Sequence, residues 1–80
     1  MIILKVISPV REMLSAEVSL VELPGEKGRF AVLNNHAPLI TSLVRGNVRY
    51  VLPSGEQDIL GISGGFAEVS DNTVTVCTEE

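Results

Sequence analysis

One histidine and one cysteine, His36 and Cys77, are all that this chain of 80 residues offers toward nucleophilic or soft-metal chemistry, and they stand far apart. Zinc sites draw their ligands from closely spaced pairs, and acid–base or nucleophilic catalysis needs a convergent set of side chains. Neither pattern occurs, and the ten Asp and Glu residues form no cluster with evident spacing. The sequence therefore predicts no catalytic residue, no metal site and no cofactor. Gly61-Ile62-Ser63-Gly64-Gly65 suggests a phosphate loop, but no lysine follows and its flanks read as strands. These glycines instead permit a bulge or close strand packing.

The elements that would carry these residues are punctuated by turns. Residues 22–46 hold the only histidine, three glycines and two prolines between apolar runs. Pro24-Gly25 opens a turn, Gly28 allows backbone angles closed to other residues, and Asn34-Asn35 can enter the left-handed region. Pro38 fixes its own φ and pushes Ala37 toward an extended conformation, which puts His36 on a short rigid corner. A histidine there is a hydrogen-bonding corner residue or a partner contact, with no catalytic or pH-sensing role.

Eighty residues make one domain, 1–80, with one core. Apolar residues reach 45% and charged residues only 20%, more apolar material than a solitary domain of this size hides, so part of it is expected to face a partner. The net charge of −4 and the scattering of the six basic residues exclude nucleic acid as that partner. Lone Cys77 can form no internal disulfide and reads as a small strand residue in a reducing compartment. The start carries no secretory leader, and no run approaches the roughly 20 apolar residues that span a bilayer. The chain is expected to be soluble and untargeted.

Short runs rich in Val, Ile, Leu and Thr, separated by turn residues, predict an all-β sandwich or barrel. Candidate strands cover residues 2–7, 17–23, 28–33, 40–45, 47–52, 57–62, 65–69 and 73–77. Val48, Tyr50 and Leu52 alternate with Asn47 and Arg49, and Val74 and Val76 with Thr73, Thr75 and Cys77, as half-buried strands do. Leu52-Pro53-Ser54-Gly55-Glu56 and Asp71-Asn72 predict two antiparallel hairpins. Ser8-Pro9 could cap a helix through Leu14, but the apolar spacing lasts one turn only, and a turn into a second strand fits better.

The motifs LKVISPVREMLSAEV, LPGEKGRFAVLNNHAPLI, RGNVRY and SGGFAEVSDNTVTV together closely resemble the amino-terminal domain of the epsilon subunit of rotary F-type ATP synthases, over essentially the whole chain. The resemblance implies a ten-strand β-sandwich, a flattened antiparallel barrel, at the foot of the central stalk between the gamma subunit and the membrane ring of c subunits. It implies a non-catalytic rotor subunit that couples proton or sodium flow to ATP synthesis in the beta subunits, peripheral to the membrane, on the cytoplasmic face of the bacterial plasma membrane. The expected gamma contact is His36, Ala37, Pro38, Leu39 and Ile40 with Ser63, Gly64 and Phe66. Leu39, Ile40 and Phe66 are equally candidates for the core, and the need of a small sandwich for large residues inside favours that reading.

Two positions depart from the family pattern, in which a glycine usually precedes the histidine, where this chain has Asn35, and an acidic residue commonly faces the c ring where this chain has Arg29. The c-ring contact is thus expected at Glu26, Lys27, Gly28 and Arg29, with Arg29 meeting an acidic or carbonyl-rich loop. Family members continue into a carboxy-terminal helical hairpin, inhibitory and in some members nucleotide-binding. These 80 residues stop at Thr78-Glu79-Glu80, so neither the arm nor a nucleotide site is expected here. Without the resemblance, the alternative is a free-standing β-sandwich adaptor that takes a peptide or protein partner at a sheet edge.

Overall fold

A computed structural model describes residues 1–79, and alternation of apolar and polar side chains shapes nine strands among them. They are β1 (Ile2–Ile7), β2 (Glu12–Val18), β3 (Leu20–Gly25), β4 (Gly28–Val32), β5 (Leu39–Leu43), β6 (Gly46–Val51), β7 (Gln57–Ile62), β8 (Gly65–Ser70) and β9 (Thr73–Thr78). In β1 the side chains of Ile2, Leu4 and Val6 are fully buried while Lys5 between them is exposed; Val74 and Val76 do the same in β9. Period-two burial of this kind gives each strand one face for the core and one for the outside.

Strands β2-β1-β9-β8-β5 form one layer, and β4-β3-β6-β7 form the other. Every pairing is antiparallel except β1 with β9, which lie parallel with Leu4 opposite Val74 and Val6 opposite Val76. The layers join at a single bridge, Gly25 opposite Leu43. Inward residues of both layers, among them Leu4, Val6, Val21, Leu23, Val48, Ala67 and Val76, make one continuous core. Pro24 is tolerated inside β3 because there the neighbour of β3 changes from β6 to β5, so the missing N–H interrupts no regular ladder.

The sandwich class agrees with the expectation from sequence, with nine strands among the described residues where ten were expected. The candidate strand over residues 17–23 is in fact two strands. Ser19 breaks it, with its N–H donating to the Val51 carbonyl at 2.8 Å, and the chain passes there from the first layer to the second. Because Val18 and Val21 both stay buried across the break, one apolar run serves two layers. Strand β2 also starts at Glu12, earlier than expected, since Ser8 closes a turn: its N–H donates to the Arg11 carbonyl at 2.9 Å and its Oγ accepts from the N–H groups of Val10 and Arg11 at 3.3 Å. Ser8 therefore caps a hairpin and no helix.

Both predicted hairpins form. Leu52 N–H donates to the Glu56 carbonyl at 2.8 Å between β6 and β7. Asp71 and Asn72 join β8 to β9 with φ of 51° and 55°, the pair of left-handed residues that matches the twist of a tight hairpin. Gly65 takes φ 126°, and a Cβ there would run into the backbone carbonyl of Cys77 on the neighbouring strand. Close strand packing is what Gly65 provides, whereas a Cβ at Gly61 would make only ordinary contact.

Candidate functional site

Inward alternation in β5 and β8 leaves an apolar patch outside. Leu43 of β5 and Ala67 and Val69 of β8 fill the core, which turns Ile40 and Phe66 outward at 72% and 48% exposure. Register sets them diagonally across the two strands, Ile40 opposite Glu68 and Phe66 opposite Ser42. The expectation that Ile40 and Phe66 are core is corrected: strand parity gives the inward positions to Leu43, Ala67 and Val69, and of the three candidates only Leu39 packs partly against the core. Phe66 continues into an open groove with Ile7, Pro9, Ser42 and Cys77. Cys77 is half-buried there, opposite Phe66 in the β8–β9 ladder and beside Ile7 in the β1–β9 ladder.

His36 stands at one end of β5. Asn35 holds φ 64°, as the left-handed corner requires, and Asn72 clamps it: Asn35 N–H donates to Asn72 Oδ1 at 2.6 Å, and Asn72 Nδ2 donates to Asn35 Oδ1 at 3.2 Å. The half-buried ring turns its Nδ1 to the Ala37 carbonyl oxygen at 2.7 Å, which assigns the proton to Nδ1. Ser63 and Gly64 stand at the other end, where Gly64 approaches the Leu43 carbonyl. Of the eight residues expected to meet gamma, Ile40 and Phe66 thus share one face; His36, Ala37 and Pro38 lie beyond its one end, and Ser63 and Gly64 beyond the other.

At that second end lies the β3–β4 turn with Glu26, Lys27, Gly28 and Arg29, all exposed. Glu26 N–H donates to the Ser42 carbonyl at 3.0 Å and ties the turn to β5. Arg29 leaves the turn and lies back over the outer face of β3 and β6: its Nε donates to Glu22 Oε1 at 3.0 Å and its Nη2 to the Asn47 carbonyl at 2.7 Å. Arg49 holds the same carboxylate, Nη2 to Oε2 at 3.2 Å and Nε to Oε1 at 3.3 Å, and its Nη1 donates to Gln57 Oε1 at 2.8 Å. The hydrogen bonds from Arg49, and then those from Arg29, hold the Glu22 carboxyl below the usual carboxylate range.

Sequence reasoning missed this ladder over four strands. Its signal was present in the alternation that puts Glu22 and Arg49 outside, but their meeting depends on the pairing of β3 with β6. On the inner side, burial pushes the Tyr50 hydroxyl up, helped by Asp58 opposite it. Among the described residues no group of three or more His, Cys, Asp and Glu side chains could hold a metal ion.

Fold and surface together define a β-sandwich with two distinct outer faces: an apolar patch on one layer and an arginine–glutamate ladder on the other. Residues 1–80 match the family described as ATP synthase, Delta/Epsilon chain, beta-sandwich domain, and the chain belongs to that family. It is 45% identical over 76 residues to the ATP synthase epsilon chain of Desulfitobacterium hafniense, covering 95% of this chain and 57% of that relative. To the ATP synthase epsilon chain of Chlorobaculum tepidum it is 42% identical over 77 residues, covering 96% of this chain and 88% of that shorter relative. This chain thus spans little more than half the length of the first relative and most of the second. Its fold is similar, at a TM-score of 0.91 and 31% identity, to a chain in the cryo-EM structure of the Euglena gracilis mitochondrial ATP synthase, OSCP/F1/c-ring in rotational state 1, covering 99% of this chain and 51% of that one. A chain in the Tetrahymena thermophila mitochondrial ATP synthase central stalk/c-ring structure has the same fold, with a TM-score of 0.79 at 15% identity, covering 99% of this chain and 63% of that one.

Proposed function

We propose that this chain serves as the β-sandwich of an ATP synthase epsilon subunit, a non-catalytic part of the central stalk that couples the gamma subunit to the c ring while ions drive ATP synthesis. The observation that carries the reading is the family match over residues 1–80 together with a face to dock on. In this reading the outer face of β5 and β8, with Ile40 and Phe66 at its centre, meets gamma, and the flanking segments His36–Leu39 and Ser63-Gly64 border the contact. The turn of Glu26, Lys27, Gly28 and Arg29 meets the c ring. In this reading the chain reaches the cytoplasmic face of the bacterial membrane through the complex.

Apolar side chains left in water are the physical support, since a partner that removes them from solvent gains their transfer free energy. Co-expression with the gamma subunit of the same organism, followed by size-exclusion chromatography, tests the reading. A stoichiometric complex is expected, and Ile40→Asp or Phe66→Asp should abolish it while thermal unfolding of the free chain stays near that of the wild type. Two separate peaks at micromolar concentration for the wild-type pair would refute it.

A further inference from the structure

The apolar face of the first layer and the turn that carries Arg29 belong to the reading above; the pairing of Arg29 with Arg49 on the outer face of the second layer goes beyond it. There two arginines, Arg29 and Arg49, flank one carboxylate, Glu22, in a chain whose net charge is −4. We propose that Arg29 and Arg49 form a guanidinium pair that docks carboxylate side chains of a protein partner, and that Glu22 is the residue that positions the pair. The inference rests on the reading above for the partner used in its first test and for the contact assigned to Arg29.

An exposed arginine ordinarily samples many rotamers, and ordering it on contact opposes binding. Here that ordering is already done. One carboxylate fixes both guanidinium groups, with the Asn47 carbonyl and Gln57 holding their far sides, and the two arginine side chains still remain 42% and 31% exposed. Arg29 Nη1 takes part in none of these bonds, so a charged donor stays available for a carboxylate, while each nitrogen of Arg49 already donates once and holds the pair in place. One negative charge cannot neutralise two guanidinium groups, so the face keeps a local positive excess, and the complement of that excess is an anion.

What surrounds the pair favours a protein over a lipid surface. Arg49 lies opposite Ile59, which is 57% exposed, and the amides of Asn47 and Gln57 border it. Such a mixture of apolar, amide and arginine groups has the make-up of a protein interface, whereas headgroup and phosphate surfaces draw spread clusters of lysine and arginine. Arg29 sits on β4 and Arg49 on β6, with β3 between them, yet both Nε atoms donate to the same Glu22 Oε1, at 3.0 and 3.3 Å, so the two charges are drawn together over β3 in a fixed arrangement.

Glu22 gives the test its discrimination. Glu22→Gln removes a negative charge from the face, so a purely electrostatic site would bind an acidic partner more tightly; a positioned pair would bind it more weakly. The measurement is the rebinding of the full chain to ATP synthase of the same organism from which the subunit has been removed, over a series of salt concentrations. Arg29→Gln with Arg49→Gln is expected to lower the affinity about tenfold or more and to flatten its salt dependence. Glu22→Gln is expected to weaken binding by a smaller factor and to leave the salt dependence in place. Tighter binding by Glu22→Gln would remove the positioning role, and unchanged binding by the double variant would overturn the proposal. Failure of the wild type to rebind would count against the reading of function instead. Hexaglutamate titrated onto the isolated chain then decides the pair by itself: arginine-dependent binding upholds it and no binding removes it. Vesicles of phosphatidylglycerol held through the arginines, with hexaglutamate ignored, would assign the face to lipid and overturn the proposal.

Discussion

Arg29 and Glu22 meet across the β3–β4 hairpin at 3.0 Å, Nε to Oε1, although the strand register sets Arg29 opposite Pro24 and Glu22 opposite Ala31. The arginine therefore crosses the ladder diagonally, away from the turn, and reaches a carboxylate that Arg49 already holds from the other side. Diagonal neighbours in a sheet are within reach of long side chains, which is why one glutamate can serve two arginines here.

The lowered Glu22 pKa has a signed consequence for stability. A carboxyl that titrates lower when folded than its ordinary value of 4.5 stabilises the fold above that value and loses the contribution as pH falls through the folded pKa. Wild type should therefore exceed Glu22→Gln in urea unfolding at pH 7, and the gap should close in acid. Raised salt should narrow the gap at pH 7, because the pair is solvent-accessible. A gap that persists unchanged at pH 2 would refute the assignment to ionised Glu22.

Gly65→Ala is expected to be among the most damaging single changes in the chain. The added methyl would collide with the Cys77 carbonyl, which is backbone and cannot step aside, and φ 126° disfavours any L side chain. A loss of about 3 kcal/mol or more in denaturant unfolding is the expected outcome, where a glycine to alanine change at an ordinary strand position costs little. Gly28→Ala, which also has positive φ but meets nothing within 4 Å, should cost less and serves as the control.

Asn72 ties two turns at one end of the molecule through one side chain. It occupies the left-handed position of the β8–β9 turn and clamps Asn35 beside the His36 corner. Asn72→Gly keeps the turn and removes the clamp, and Asn72→Ala strains the turn as well. Losses of about 1 kcal/mol for glycine and about 2 kcal/mol for alanine are expected by denaturant titration. Amide exchange at Asn35 and His36 should rise in both variants, and unchanged protection there would show that the corner holds without the clamp.

Much of the fold was legible because a half-buried strand writes its two faces into alternate residues. Val74 and Val76, Val48 and Tyr50 are buried as their spacing predicts, and both hairpins follow from Ser54-Gly55 and Asp71-Asn72. The same rule failed at residues 17–23, where Val18, Leu20, Val21 and Leu23 read as one strand and conceal a change of layer at Ser19, since alternation reports an inside and not which sheet supplies it. At Ile40 and Phe66 it was residue type that misled. Large apolar side chains suggest core by type, yet their parity along β5 and β8 puts them outside.

By itself the sequence determined the all-β class, the turns, the left-handed corner at Asn35 and the family. Each depends on residues near one another in the chain, where backbone geometry and local hydrogen bonds decide. Only the tertiary structure decided that β1 lies parallel to β9, that His36 and Ser63 stand at opposite ends of β5, and that Glu22 gathers Arg29 and Arg49. Those relations join strands remote in sequence, and they are fixed by register and by which layers bury which faces.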